Sequence, residues 1–235
     1  MSTTQIFLIH LFELIAAVLG TIYLKKKYRD DNKSSRYLVL FLWLTVLVEK
    51  VGLIPRLSVS FDELAFFKDT FLGKSNYWIY NPYNIISFLF YIYYMKMNVV
   101  SNKNKNILKV LSIFYLLITS VNLIFVEGFF AKSLSGLTFI LGSLLIMYAV
   151  GLYFYEVLQS DIILNFKKML PFYVAIGVLV FNLVVTPLFI YSKFYAHNNP
   201  DFIKVYTSVL IILNVFLYSC YSLGFILCWQ KNKSY

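Results

Sequence analysis

Apolar runs of about twenty residues recur along this chain, with lysines and arginines gathered in the short segments between them. Wound as a helix at ~1.5 Å per residue, such a run spans the ~30 Å hydrocarbon core of a bilayer. Seven runs are read, at residues 5–24, 37–54, 77–97, 107–126, 134–155, 170–191 and 203–229. Backbone polar groups in hydrocarbon must bond within their own segment, which makes each run a helix. The expected fold is all-α, a single polytopic membrane domain over residues 1–235 with seven transmembrane helices. Composition agrees: 60% of residues are hydrophobic and 14% charged, against about 25% charged in soluble domains.

The charges orient the spans. No Lys or Arg precedes the first span, and Lys25, Lys26, Lys27 and Arg29 follow it. A cleaved signal peptide has the reverse order, so the first span is expected to stay, with its N-terminus outside. On that topology fourteen basic residues fall on the inner side and seven on the outer, and the C-terminus lies inside. The +10 net charge is thus explained by lipid headgroups as partner, not nucleic acid. Cys220 and Cys228 are eight residues apart on one helix, ~12 Å by helical rise and too far to pair. Abundant Lys, Asn, Ile, Phe and Tyr associate with AT-rich microbial genomes, and the expected location is a bacterial inner membrane.

The longest outer segment has structure of its own. Ser60, Phe61, Asp62 and Glu63 read as a capping box. Phe61, Leu64, Phe67 and Phe71 then recur at helical spacing, so an interfacial helix is expected at about residues 60–72. It would serve as an anchor or as a lid.

The third span is the least ordinary. It carries Asn81, Pro82, Asn84 and Ser87 among its tyrosines. Residues three, four and seven apart share a helix face, which puts Asn84, Ser87, Tyr91 and Tyr94 on one stripe. Polar atoms are costly in lipid, so that stripe is expected to face protein or a water-filled cavity.

Two segments of the chain resemble two others. Residues 46–55 (VLVEKVGLIP) match residues 178–187 (VLVFNLVVTP) at a shift of 132, with four identities including Pro55 and Pro187. Residues 87–94 (SFLFYIYY) match residues 214–221 (NVFLYSCY) at a shift of 127, and Tyr91 and Tyr94 fall on Tyr218 and Tyr221. Gly20 and Tyr23 fall on Gly151 and Phe154 at a shift of 131. Similar shifts in one order imply two parallel three-helix units joined by the fourth span, a plan used by some transporters. In this the chain resembles the SWEET and PQ-loop family, with its three-plus-one-plus-three helices. The resemblance covers the whole chain and implies that asparagines of the third and seventh spans line a solute site. The chain has no Pro-Gln dipeptide, and its first and fifth spans lack prolines. It also looks like small bacterial seven-transmembrane-helix proteins with no assigned activity.

Several side chains could carry function. Glu13 lies mid-span with His10 one turn before it, and an intramembrane carboxylate is by default a functional candidate. It could instead be interhelical hydrogen-bonding glue. Glu49, Asn81, Asn84, Asn182 and Asn214 fall in the middle or outer parts of their spans, which suggests a pocket open to the outside. Each Asn could equally be glue, and the tyrosines, Tyr91 and Tyr218 included, could be packing or interface belt.

No enzyme chemistry is expected. His10 and His197 do not form the H-E-x-x-H of a zinc protease. Ser133-Leu134-Ser135-Gly136 lacks the glycine and histidine partners of a serine nucleophile. No cofactor or metal is expected. Two functions remain: a carrier or facilitator for a small polar solute, or a receptor, sensor or accessory subunit that binds a ligand or partner protein at the outer pocket.

Overall fold

The computed structural model describes residues 3–26, 33–127, 133–195 and 199–230. Lys27, Arg29, His197 and both termini, on which part of the charge reading rests, lie outside them.

Four long helices follow the expected runs closely, with the short helices α3 (Ile54–Ser60) and α4 (Phe71–Lys74) among them: α1 (Thr3–Lys26), α2 (Lys33–Gly52), α5 (Tyr77–Asn98) and α6 (Asn102–Val121). The last continues as a π-helical turn over Asn122–Glu127. Then come α7 (Gly136–Leu158), α8 (Leu170–Tyr195) and α9 (Pro200–Gln230), with a 3₁₀ stretch at Asp161–Lys168. Among the described residues, six helices are long and apolar enough to cross a membrane: α1, α2 with α3, α6, α7, α8 and α9. With 22 residues, α5 has the length, but its asparagines, proline and tyrosines keep it out of that set. It has less need of an apolar surface, because protein surrounds it on four sides, from α2, α6, α7 and α8.

The helices close into a ring. Around it run α1, α2, α5, α7, α8 and α9, and α9 packs back on α1. The sixth helix stays outside the ring, against α5 and α7. Side-chain contacts fix the directions. Tyr80 at the start of α5 meets Glu49 at the end of α2, and Ser34 at the start of α2 meets Asn98 at the end of α5, so these two are antiparallel. Asn81 meets Ser135 near both starts, and Ser101 meets Glu156 near both ends, so α5 and α7 run parallel. Tyr23 packs on Phe225 at 5.5 Å, so α1 and α9 also run parallel. We call the side where α1 starts the near face and the opposite side the far face.

Polarity is inverted relative to a water-soluble bundle. Phe7, Leu40, Leu47, Phe114, Leu144 and Ile212 stand exposed on outward faces, while Glu13, Thr45, Asn81, Ser143 and Asn182 are buried. An apolar outer surface, with carboxyl, amide and hydroxyl groups buried within the apolar core, is the pattern of a chain solvated by lipid. With six apolar helices, it marks an integral, multi-pass membrane protein.

The segment after α2 differs from the expected 60–72 helix. A proline sits in the first turn of α3, and the helix has already ended at Ser60. Pro55 is preorganised for a helix start, so helix begins before the capping box can act. The Ser60 hydroxyl donates back to the Arg56 carbonyl at 3.1 Å instead of capping a new helix. A 3₁₀ turn over Asp62–Phe67 and the single turn α4 follow.

Candidate functional site

A cavity of about 190 Å³ occupies the centre of the ring, toward the near face. Its wall includes Thr45 and Glu49 of α2, Tyr80, Tyr83, Asn84, Ser87, Phe88 and Tyr91 of α5, Phe139 and Ile146 of α7, Val178, Phe181 and Asn182 of α8, and Asn214, Leu217 and Tyr218 of α9. Helical spacing explains the α5 share: residues 80, 83, 84, 87, 88 and 91 follow one face.

Several polar groups on this wall are already engaged. The Tyr80 hydroxyl donates to Glu49 Oε2 at 2.7 Å. Thr45 donates to the Phe41 carbonyl at 3.0 Å and so accepts the Tyr83 hydroxyl at 2.7 Å. Asn182 is used on both sides: Ser143 donates to its Oδ1 at 3.1 Å, and its Nδ2 donates to the Val178 carbonyl at 2.8 Å. Asn214 Nδ2 donates to the Leu210 carbonyl at 2.8 Å.

Other groups are not. Among the described residues, no protein hydrogen bond takes up the Asn84 amide, the Ser87 hydroxyl, the Asn214 oxygen, the Tyr218 hydroxyl or the second Glu49 oxygen. Polar groups inside a protein bond to something, and all five of these belong to residues that line the cavity.

Below the cavity the bundle is solid. Tyr221 donates to Tyr91 at 2.9 Å, joining α9 to α5. Beneath this bond Ile92, Tyr94, Met95, Tyr153 and Phe225 are each no more than 1% exposed, so the cavity does not continue to the far face.

Two glycines let the wall form. A Cβ on Gly52 would collide with the Tyr80 hydroxyl, and one on Gly142 with the Phe88 ring. Only a residue without a side chain allows those two rings their places.

No family model, curated protein or solved structure matches this chain. What the site does must therefore be argued from its own residues.

The structure brings Glu49, Asn84, Ser87, Tyr91, Asn182, Asn214 and Tyr218 to one cavity. It does not bring Asn81, Glu13 or His10 there. Asn81 is a clamp: its Nδ2 donates to the Ser133 carbonyl at 3.2 Å, and its Oδ1 accepts the Ser135 amide at 2.9 Å. Ser135 itself is the N-cap of α7, its hydroxyl taking the Thr138 amide. The serine pair considered as a nucleophile thus starts a helix.

Glu13 is buried behind the wall, with Oε2 3.5 Å from His10 Nδ1, and its Oε1 has no hydrogen-bond partner. It lies within electrostatic range of Glu49, Tyr80, Tyr83, Tyr91 and Tyr218 on the wall. Among the described residues, no three His, Cys, Asp or Glu side chains gather into a metal-binding group.

Thr45, Tyr83, Phe88, Phe139 and Phe181 line the cavity without having been singled out in the sequence. A signal existed for the first: Thr45 lies one turn before Glu49 and shares its helix face. The phenylalanines carry no such mark in a chain with 23 of them.

Proposed function

We propose that this chain crosses a bacterial inner membrane seven times, N-terminus outside, and carries a small polar solute through the centre of its ring. The supporting observation is the set of unpaired polar groups around a cavity to which both three-helix units contribute. Asn84 and Ser87 come from the first unit, Asn214 and Tyr218 from the second. The ring order is the one a two-fold axis along the membrane normal requires, with α1, α2 and α5 opposite α7, α8 and α9. On this reading the near face is outside, the cavity is open outward, and the Tyr91–Tyr221 bond with the residues below it is the closed inner barrier.

The packed far half also favours a second reading. A protein that binds a ligand from outside and reports it through its inner loops needs no path across, and the solid layer around Tyr94 and Tyr153 suits that role.

The two readings separate in proteoliposomes. A carrier moves bound solute into the vesicle lumen; a receptor binds the same solute and moves none. Reporter fusions at the termini test the orientation, and an N-terminal tag protected from external protease in intact cells would overturn it.

A further inference from the structure

The cavity wall is one-sided in charge. Among the described residues it contains one carboxylate, Glu49, and no lysine, arginine or histidine. Tyr80 satisfies one Glu49 oxygen, while the other faces the cavity unbonded. Among the described residues no basic side chain forms an ion pair with Glu49. Behind the wall, Glu13 and His10 lie within electrostatic range of Glu49 and act on it in opposite senses, so that pair supplies no net positive partner. A carboxylate in low-dielectric surroundings needs a positive partner or a proton.

The rest of the wall suits such a partner. Tyr80, Tyr83, Tyr91 and Tyr218 surround the space, together with three phenylalanines. Aromatic faces carry negative charge density and attract cations, quaternary ammonium groups above all. The volume, about 190 Å³, equals roughly six waters at about 30 Å³ each, which limits the ligand to a handful of heavy atoms. Asn84, Ser87 and the Asn214 oxygen could meet a hydroxyl or N–H group on it.

We propose that the cavity takes a small organic cation, an alkylammonium held between the Glu49 carboxylate and the tyrosine rings. This rests on the solute-binding reading above and names the class of solute.

The test uses the purified full chain in detergent and follows thermal unfolding. The probes are tetramethylammonium, choline and 3,3-dimethylbutan-1-ol, the uncharged carbon analogue of choline. Choline is expected to raise the unfolding temperature in a saturable way, and the alcohol to leave it unmoved. Glu49→Gln is expected to weaken choline binding at least about tenfold, as the loss of a charged partner does. Equal shifts from choline and the alcohol overturn the charge argument but leave the solute-binding reading standing. So does a shift from neutral or zwitterionic solutes alone. No shift from solutes of any charge overturns both. Should Glu49→Gln not fold, the comparison of choline with its carbon analogue on the unaltered protein still decides. A choline shift that survives Glu49→Gln and vanishes in Glu13→Gln overturns the assignment to Glu49.

Discussion

Tyr221 on α9 donates a 2.9 Å hydrogen bond to the hydroxyl of Tyr91 on α5, across the ring and under the cavity. The internal match pairs Tyr91 with Tyr218 and Tyr94 with Tyr221, so a perfect two-fold would also join Tyr94 to Tyr218. Among the described residues no hydrogen bond does. The bond therefore marks a place where the two units differ. Because Tyr221 is the donor, the Tyr91 hydroxyl keeps its own hydrogen free to donate, and Tyr91 lines the cavity.

Tyr221→Phe removes the donor and little volume. Folding stability is expected to fall by about 1 kcal/mol, the net worth of one neutral hydrogen bond. If the bond helps to hold the inner barrier shut, solute exchange in proteoliposomes should speed up with affinity unchanged. Lower stability with unaltered exchange would make it a packing strut only.

The four asparagines should separate into two pairs. Asn81 and Asn182 have both ends of their amides engaged. Replacing either with Ala strands buried partners, at about 1–3 kcal/mol of stability. Asn84→Ala and Asn214→Ala remove groups that face the cavity, and should weaken ligand binding several-fold with little loss of stability, since a neutral hydrogen bond nets about 0.5–1.5 kcal/mol. Melting curves with and without ligand distinguish the pairs. If all four destabilise alike and leave the ligand shift intact, the cavity argument fails.

Gly52→Ala places a methyl group against the Tyr80 hydroxyl and should push it off Glu49. Tyr80→Phe removes the atom it meets most closely. The double variant is expected to be more stable than the sum of the single effects predicts, by more than the ~0.5 kcal/mol scatter of additive sites. Strict additivity would mean that the two residues do not meet in solution.

Glu13→Gln keeps the shape and removes the charge. The titratable groups within electrostatic range of Glu13 are His10 on its own helix, Glu49 on α2, Tyr80, Tyr83 and Tyr91 on α5, and Tyr218 on α9. If Glu13 exchanges a proton during transport, the variant should fold and the pH dependence of solute movement should flatten. Folding with an unchanged pH profile would make Glu13 a structural hydrogen-bonding group.

The runs of apolar residues located the long helices, because one physical demand, burial of backbone polar groups in lipid, sets both length and composition. The α5 stripe was legible for the same reason: Asn84 and Ser87 have no acceptable place on a lipid face. Asn81 was not separable from Asn84. Both are α5 asparagines three residues apart, and only the position of Ser133 and Ser135 makes one a clamp and the other a wall. The segment near Ser60 misled because a capping box is a local signal, and Pro55 started a helix ahead of it. The aromatic share of the cavity was hidden by number, since phenylalanine and tyrosine serve equally as packing and as lining.

The sixth helix contributes no residue to the described wall of the cavity, yet it sets the relative direction of the two triplets. Three helices form an odd set, so a second triplet joined directly to the first would start from the far face and run upside down. One additional passage restores parity. Through it α7 begins beside the start of α5, with Asn81 bonded to Ser135, and the two triplets point the same way. A change that made this passage fail, such as charged residues on the outward face around Phe114 and Leu117, would leave every cavity residue in place in the sequence and turn half of the cavity wall over.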